Sequence, residues 1–250
     1  MSGDLEGRII LVTGASRGIG HAVALEAAQR GAHVVAVART VGGLEELDDA
    51  IGQAGGAATL VPLDLRDGDG IDRLGQAIFE RWGRLDGLCG NAGLLGAISP
   101  LPHLDPKDFE RTFAVNVTAN YRLIRALDLL LRRSDAARAV FVTSGAAQQA
   151  RPYRGLYSAS KAALEVLART YAAEVATTGI RVNLFSPGPI RTAMRASAAP
   201  GEDPMSLQTP DAVAPVIVDM LSPGYAENGA LVDFRRGETR RLLEEPVPAG

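Results

Sequence analysis

Apolar residues follow two alternating rhythms along this chain. Short unbroken apolar runs, of which Ile9-Ile10-Leu11-Val12 is the clearest, mark residues 8–13, 33–38, 57–63, 85–90, 139–144, 181–185 and 230–234. Between them, residues 19–30, 42–54, 69–82, 105–132, 157–178 and 211–220 carry helical patterns. Apolar positions three and four apart predict helices. Strands apolar at every position predict a sheet covered on both faces, since a solvated face would show alternation. Alternating strands and helices build β-α-β units, whose right-handed crossovers place strands parallel. The expected fold class is α/β: a doubly wound parallel sheet of about seven strands with helices on both faces.

No repeat or linker divides the chain, so residues 1–237 are expected to form one domain and residues 238–250 a partly ordered tail. Residues 186–209, rich in Pro, Ala and Met, lack either rhythm and are long enough for a functional loop. With 46% hydrophobic residues among 250, a large core is expected. A net charge of −3 supplies no basic face for nucleic acid or an anionic membrane. The single cysteine, Cys89, excludes an internal disulfide and reads as a small buried hydrophobe in reducing cytosol. No leader pattern and no run of roughly 18 apolar residues is seen, so a soluble cytoplasmic protein is expected.

Tyr157 and Lys161 lie four residues apart in Tyr157-Ser158-Ala159-Ser160-Lys161, inside one helical pattern. Positions i and i+4 share a helix face. An ammonium near a phenol favours the ionised form, lowering the phenol's pKa toward working pH. Such a phenol can exchange a proton with an alcohol–carbonyl pair. Of 26 Lys and Arg residues only Lys107 and Lys161 are lysines, so the compact ammonium at 161 stands out. Ser144 ends an apolar run thirteen residues upstream. Taken alone, the Tyr/Lys pair could equally be chance on a surface helix.

Thr13-Gly14-Ala15-Ser16-Arg17-Gly18-Ile19-Gly20 follows the first strand and opens the first helix. Glycines there permit a tight turn and close approach to a pyrophosphate, which the helix N-terminus favours. At this junction the motif signals the dinucleotide-binding (Rossmann) form of the fold.

That glycine spacing, the turn Gly90-Asn91-Ala92-Gly93, Ser144 and Tyr157-x-x-x-Lys161 occur here in one order. Together they resemble the classical short-chain dehydrogenase/reductase family over roughly residues 8–235. The resemblance implies hydride transfer between a nicotinamide dinucleotide and a carbonyl or alcohol. Tyr157 would be the general acid/base, and Lys161 would lower its pKa and bind the nicotinamide ribose hydroxyls. Ser144 would bond the substrate oxygen as charge develops. Asn116 matches the family position that holds a relay water; read alone, it is a helix-interior asparagine satisfying local backbone. Gly14, Ser16, Arg17, Gly18, Ile19 and Gly20 would form the phosphate turn. Asp64 and Leu65 would lie at the adenine, although Asp64 could equally cap the following turn. Asn91, Ala92 and Gly93 belong on the adenosine side, with Asn91 chiefly stabilising the central sheet. Pro187, Ile190 and Thr192 would hold the carboxamide. No metal site is expected. The family usually has Asn where this chain has Gly90, and its Asp-Gly-Gly ending is replaced by Asp233-Phe234-Arg235-Arg236-Gly237.

Cofactor choice follows from charge. NAD-selective folds place an acidic residue at the end of the second strand. Here that position is Ala38, followed by Arg39, with Arg17 in the glycine turn. Two guanidinium groups and no carboxylate suit a 2′-phosphate, so NADP(H) is expected over NAD(H). The alternative is two solvated surface arginines. The substrate wall is expected from Leu94, Leu95, Ile98, Tyr153, Met194, Met205 and Leu207, with Arg151, Arg154, Arg191 and Arg195 near its rim. An apolar ketone or aldehyde suits it.

A homodimer or homotetramer is expected through the two long helices. Their apolar surface is read from Leu123, Leu127, Leu130 and Leu131, and from Ala163, Leu167, Tyr171 and Val175; a wide core-facing stripe is the alternative. The competing function is a catalytically silent dinucleotide sensor, which would be expected to lose Tyr157 or Lys161. A sugar-nucleotide epimerase would need different glycine spacing and a larger C-terminal region.

Overall fold

The structure is a computed structural model and describes residues 3–243. Its strands are β1 (Ile9–Thr13), β2 (His33–Ala38), β3 (Ala57–Pro62), β4 (Gly87–Gly90), β5 (Arg138–Val142), β6 (Arg181–Ser186), β7 (Ala230–Asp233) and β8 (Glu238–Arg241). They form one sheet in the order β3-β2-β1-β4-β5-β6-β7-β8. The first seven pair in parallel, and β8 runs antiparallel to β7. The helices are α1 (Gly18–Gln29), α2 (Val41–Gln53), α3 (Gly68–Trp82), α4 (Pro106–Phe113), α5 (Ala119–Leu131), α6 (Gly155–Glu174), α7 (Ala193–Ala198) and α8 (Pro210–Leu221).

The unbroken apolar strands do serve two cores. Along β1, Ile10 and Val12 join one buried layer with Val23, Leu44 and Ile217 of α1, α2 and α8. Ile9 and Leu11 join the other, with Ile71, Leu123 and Leu164 of α3, α5 and α6. Strand order reverses between β1 and β4, and at such a switch point the C-terminal strand ends open a crevice. Among the described residues no helix is long and apolar enough to cross a membrane.

Three elements differ from the sequence reading. The helix expected over 105–132 is α4 and α5 joined by a five-residue π segment, Ala114–Thr118, centred on Asn116. Such wide turns recur at functional sites. The sheet has an eighth strand where a tail was expected. Its sequence, Glu238-Thr239-Arg240-Arg241, has no apolar face, and charges on an edge strand discourage pairing with other chains. Residues 244–250 of the expected tail lie outside the described residues. The loop over 186–209 contains α7 and a single 3₁₀ turn at Pro204–Ser206, and is tied by a bridge between Ile190 and Gln208.

Most residues expected to cover a subunit contact are instead core residues, while Ala163 and Leu167 stay half-buried. Leu123, Leu127, Leu130, Leu131, Tyr171 and Val175 are all buried in the α3–α5–α6 layer. The core-facing alternative describes them, because α5 and α6 bury a wide stripe against the sheet. Apolar surface that stays exposed lies elsewhere on these helices: Leu129 is 74% exposed, Val166 59% and Tyr121 50%.

Candidate active site

At the end of β1 the backbone turns through Gly14 and Gly18, with φ of 67° and 61°. L-residues with a side chain rarely adopt this left-handed region. Gly20 is required by contact rather than dihedral: a Cβ there would sit 2.3 Å from Gly14 O and 2.4 Å from Asn91 Nδ2. α3 and α4 have their first N–H groups capped by Asp67 and Asp105, but no side chain caps α1. Its free N–H groups and positive end are therefore open to an anion.

Asn91 locks the switch point. Its Nδ2 donates to Thr13 O at 2.9 Å, and the N–H groups of Asn91 and Ala92 each donate to Thr13 Oγ1 at 3.0 Å. Beside it, a Cβ on Gly90 would lie 2.5 Å from Phe141 Cδ1 and 2.7 Å from Asn120 Oδ1. The departure from the family's Asn at this position is thus built into the packing of β5 and α5.

These elements line a cleft of about 750 Å³. The structure brings to its wall Gly14, Ser16, Arg17, Gly18, Ile19, Arg39, Asp64, Leu65, Asn91, Ala92, Gly93, Ser144, Tyr157, Lys161, Pro187, Ile190 and Thr192. Gly20 packs behind the turn, and Asn116 stands outside the lining. Ala38 is buried at the end of β2, with no carboxylate beside it. Arg17 and Arg39 are exposed, and neither makes a salt bridge or side-chain hydrogen bond among the described residues. Asp64, the one carboxylate among the described lining residues, is gripped by Arg66 at 2.6 Å and accepts Arg66 N–H at 3.0 Å. The Arg66 hydrogen bond holds its carboxyl below the ordinary carboxylate range. Here the turn-capping role describes the side chain. Arg66 has no motif signal and was missed.

At the inner end, Lys161 is 3% exposed and its Nζ donates to Val142 O at 2.8 Å. Nζ lies 5.9 Å from the centroid of the Tyr157 ring. Burial pushes the Lys161 ammonium down to about 8, while Glu165 pulls it up. Tyr157 departs from expectation. Burial raises its phenol above the ordinary value, and only the nearby Ser144 hydroxyl opposes this. Spacing identified the ammonium but could not reveal how completely the protein crowds the hydroxyl. Ser144 also caps the turn after β5, accepting Ala146 N–H at 3.2 Å.

Asn116 is fully buried and spends its carboxamide on structure. Oδ1 accepts Leu94 N–H at 2.7 Å, and Nδ2 donates to Leu94 O and Ser160 Oγ, each at 2.9 Å. Ser160 Oγ in turn donates to Tyr157 O at 2.8 Å. The Asn116 carbonyl accepts from Asn120 Nδ2 at 2.9 Å. Asn116 therefore fastens the Leu94 loop to α6 through side-chain bonds to residues 22 and 44 positions away, not to local backbone. The wide π turn lets it face both.

The expected substrate wall is met in part. Leu94, Leu95 and Met194 line the cleft; Ile98, Tyr153 and Met205 are exposed outside it, and Leu207 lines a separate hollow behind α7. Of the expected rim arginines, Arg191 and Arg195 do line the cleft, and together with Arg154 they also brace the 187–208 loop. Arg154 donates to Ala198 O, Arg195 pairs with Glu202, and Arg191 donates to Leu207 O at 3.2 Å. Their partners lie 7 to 44 residues away, beyond any local pattern. Thr40 and Thr143 also line the cleft and were missed, though each directly follows or precedes a singled-out residue. Ser197, Ala198 and Pro210 reach it only because the loop folds over.

The cradle, the uncapped helix and the unpartnered arginines fit a dinucleotide. Comparison with known proteins agrees. A family model described as short chain dehydrogenase matches residues 8–203. The uncharacterized oxidoreductase YciK of Escherichia coli strain K12 is 40% identical over 220 residues, covering 87% of each chain. A 3beta-hydroxysteroid dehydrogenase of Mediterraneibacter gnavus is 34% identical, over 81% of this chain and 78% of that one. A short chain dehydrogenase from Shigella flexneri 2a, solved in complex with NADP, superposes with a TM-score of 0.90 at 37% identity, over 94% of this chain and 100% of that one. With the glycine cradle, Ser144, Tyr157 and Lys161 gathered at one cleft, the chain belongs to the classical short-chain dehydrogenase/reductase family, an oxidoreductase family.

Proposed function

We propose that the chain is an NADPH-dependent reductase of apolar carbonyl compounds, run in reverse as an alcohol dehydrogenase. One observation carries this: the cleft that holds Tyr157, Ser144 and Lys161 at one end presents Arg17 and Arg39, unpaired, at the other. An arginine pair with no opposing carboxylate at Ala38 favours a 2′-phosphate. Leu94, Leu95 and Met194 favour an apolar substrate, in keeping with the steroid named for one relative.

Gly14, Ser16, Gly18 and Ile19 would hold the pyrophosphate, Asp64 and Leu65 the adenine, Asn91 to Gly93 the adenosine side, and Pro187, Ile190 and Thr192 the carboxamide. Bound there, the dinucleotide supplies the hydride for reduction. Ser144 donates a hydrogen bond to the carbonyl oxygen, which gains negative charge as the bond order falls. Tyr157 donates its phenolic proton to the same oxygen. Burial holds that proton in place at neutral pH, and its release depends on a nearby cation favouring the phenolate. The Lys161 ammonium stabilises the phenolate left behind. Asn116 and Ser160 keep the Leu94 wall and the Tyr157 turn in register.

The protein is further proposed to form a homodimer or homotetramer, with the exposed Leu129, Val166 and Tyr121 supplying apolar contact area. A cytoplasmic setting suits its lone thiol. Incubation with NADPH and a panel of apolar ketones and aldehydes, followed at the absorbance of the reduced nicotinamide, tests the reading. Turnover of at least one supports it. Tight NADPH binding without turnover across the panel would instead indicate a dinucleotide sensor. Sedimentation with cofactor present tests the assembly, and a monomer at all concentrations would exclude it.

A further inference from the structure

Glu165 is a buried carboxylate that none of these steps uses. It is 9% exposed and lies between Leu164 and Ala168, which are 1% and 2% exposed, on the core side of α6. A charge in such a position is costly unless it is bonded and paired. Its hydrogen-bond partner is Thr143, and it sits one helical turn beyond Lys161. Tyr157, Lys161 and Glu165 fall at i, i+4 and i+8, one stripe along the helix. They face three consecutive residues around the end of β5. Ser144 stands with Tyr157 on the cleft wall, Val142 O accepts from Lys161 Nζ at 2.8 Å, and Thr143 Oγ1 donates to Glu165 Oε1 at 2.8 Å. Thr143 N–H is meanwhile fixed to Phe185 O at 2.8 Å, so the strand cannot follow a displaced helix without breaking the sheet.

Resting on the reductase reading above, we propose that Glu165 is a positioning residue of the catalytic centre, clamping Thr143 to α6 and supplying the counter-charge for the Lys161 ammonium. The groups around that ammonium leave it no other counter-charge. Tyr157 and Glu165 face it from α6; β5 offers the carbonyl of Val142 and the Thr143 hydroxyl. A Cβ on Gly93 would approach Nζ at 3.5 Å and Asn116 Oδ1 at 3.4 Å, so the glycine flanks Nζ where Lys161 meets the cleft. Of the charged groups, Glu165 alone acts on Lys161, opposing the effect of burial.

Having only Lys107 and Lys161, the chain permits a direct test. Lysine labelled with ¹³C at Cε gives two resonances, assigned with Lys107→Arg, and each is followed by NMR from pH 6 to 11. In wild type Lys161 should titrate near 8. Glu165→Gln keeps an acceptor for Thr143 but removes the charge, and should move that midpoint down by about one unit or more. The alkaline limb of carbonyl reduction should move the same way, because loss of a negative charge eases proton loss from Lys161 and Tyr157 alike. Thr143→Val keeps the charge and should leave the midpoint in place while lowering kcat. If Glu165→Gln does not fold, Glu165→Asp takes its place: charge kept, clamp shortened, midpoint near wild type and kcat reduced. A Lys161 midpoint and pH limb unmoved by Glu165→Gln would overturn the proposal, as would full kcat in both clamp variants. The NMR titration needs no turnover, so an inactive wild type would refute the reductase reading while Glu165 is still judged.

Discussion

Replacing Arg39 by alanine should separate the two nicotinamide cofactors. Arg39 is exposed at the mouth of the cleft, directly after the buried Ala38, and makes no salt bridge among the described residues. Its removal breaks no salt bridge or side-chain hydrogen bond among the described residues, and Asp64, still held by Arg66, loses only the more distant charge of Arg39. A hydrogen bond to a charged group is worth roughly 1.5–3 kcal/mol. Exposure and salt place this one in the lower part of that range. With 1.4 kcal/mol per tenfold, NADPH affinity should fall about ten- to a hundredfold. NADH has no 2′-phosphate and should bind as before. Ala38→Asp should go further, setting a carboxylate against the phosphate and offering an acceptor to the ribose hydroxyls of NADH. Isothermal titration of wild type, Arg39→Ala and Ala38→Asp with both cofactors, at low and physiological salt, measures this. Equal wild-type affinity for NADH and NADPH, or an Arg39→Ala loss shared by both, would refute the phosphate grip.

Other outcomes follow from the same geometry. Tyr157→Phe keeps the ring but removes the proton donor, so kcat should fall by about 10²–10⁴ with NADPH affinity retained; half of wild-type turnover would remove Tyr157 from its role. Gly90→Asn, which restores the family's usual residue, should destabilise by roughly 1–3 kcal/mol of overpacking, seen as a lower melting temperature, because its Cβ meets Phe141 at 2.5 Å. Burial pushes the Cys89 thiol up from 9.0 to about 12, so a thiol reagent at pH 8 should label it only after unfolding. Since the folded value is the raised one, this group's contribution to stability is complete below pH 9 and lost as pH climbs toward 12; denaturant midpoints in Cys89→Ala should decline less over that window.

The glycine cradle was readable because the dihedral demands of Gly14 and Gly18 concern only their immediate neighbours. Tyr157 and Lys161 were readable because four residues of helix place them on one face whatever surrounds them. The rim arginines were not. Arg154, Arg191 and Arg195 look free in the sequence, and only the folding-over of residues 187–208 supplies Ala198 O, Leu207 O and Glu202 to hold them. Asn116 was ambiguous for the same reason, as Leu94 and Ser160 lie 22 and 44 residues away.

Period and spacing alone thus determined a doubly wound parallel sheet, its first strand–helix turn and the shared helix face of Tyr157 and Lys161, since apolar rhythm and helical pitch are local properties. Tertiary structure decided what depends on surroundings. It put Leu123 and Leu127 in the core rather than at a contact, added the charged edge strand β8, and crowded the half-buried Tyr157 so that its phenol's pKa rose rather than fell. It also set Glu165 against Thr143. Burial and partnership arise from long-range packing, and a side chain's charge, pKa and hydrogen bonds are governed by the groups packing brings against it rather than by its neighbours in the chain.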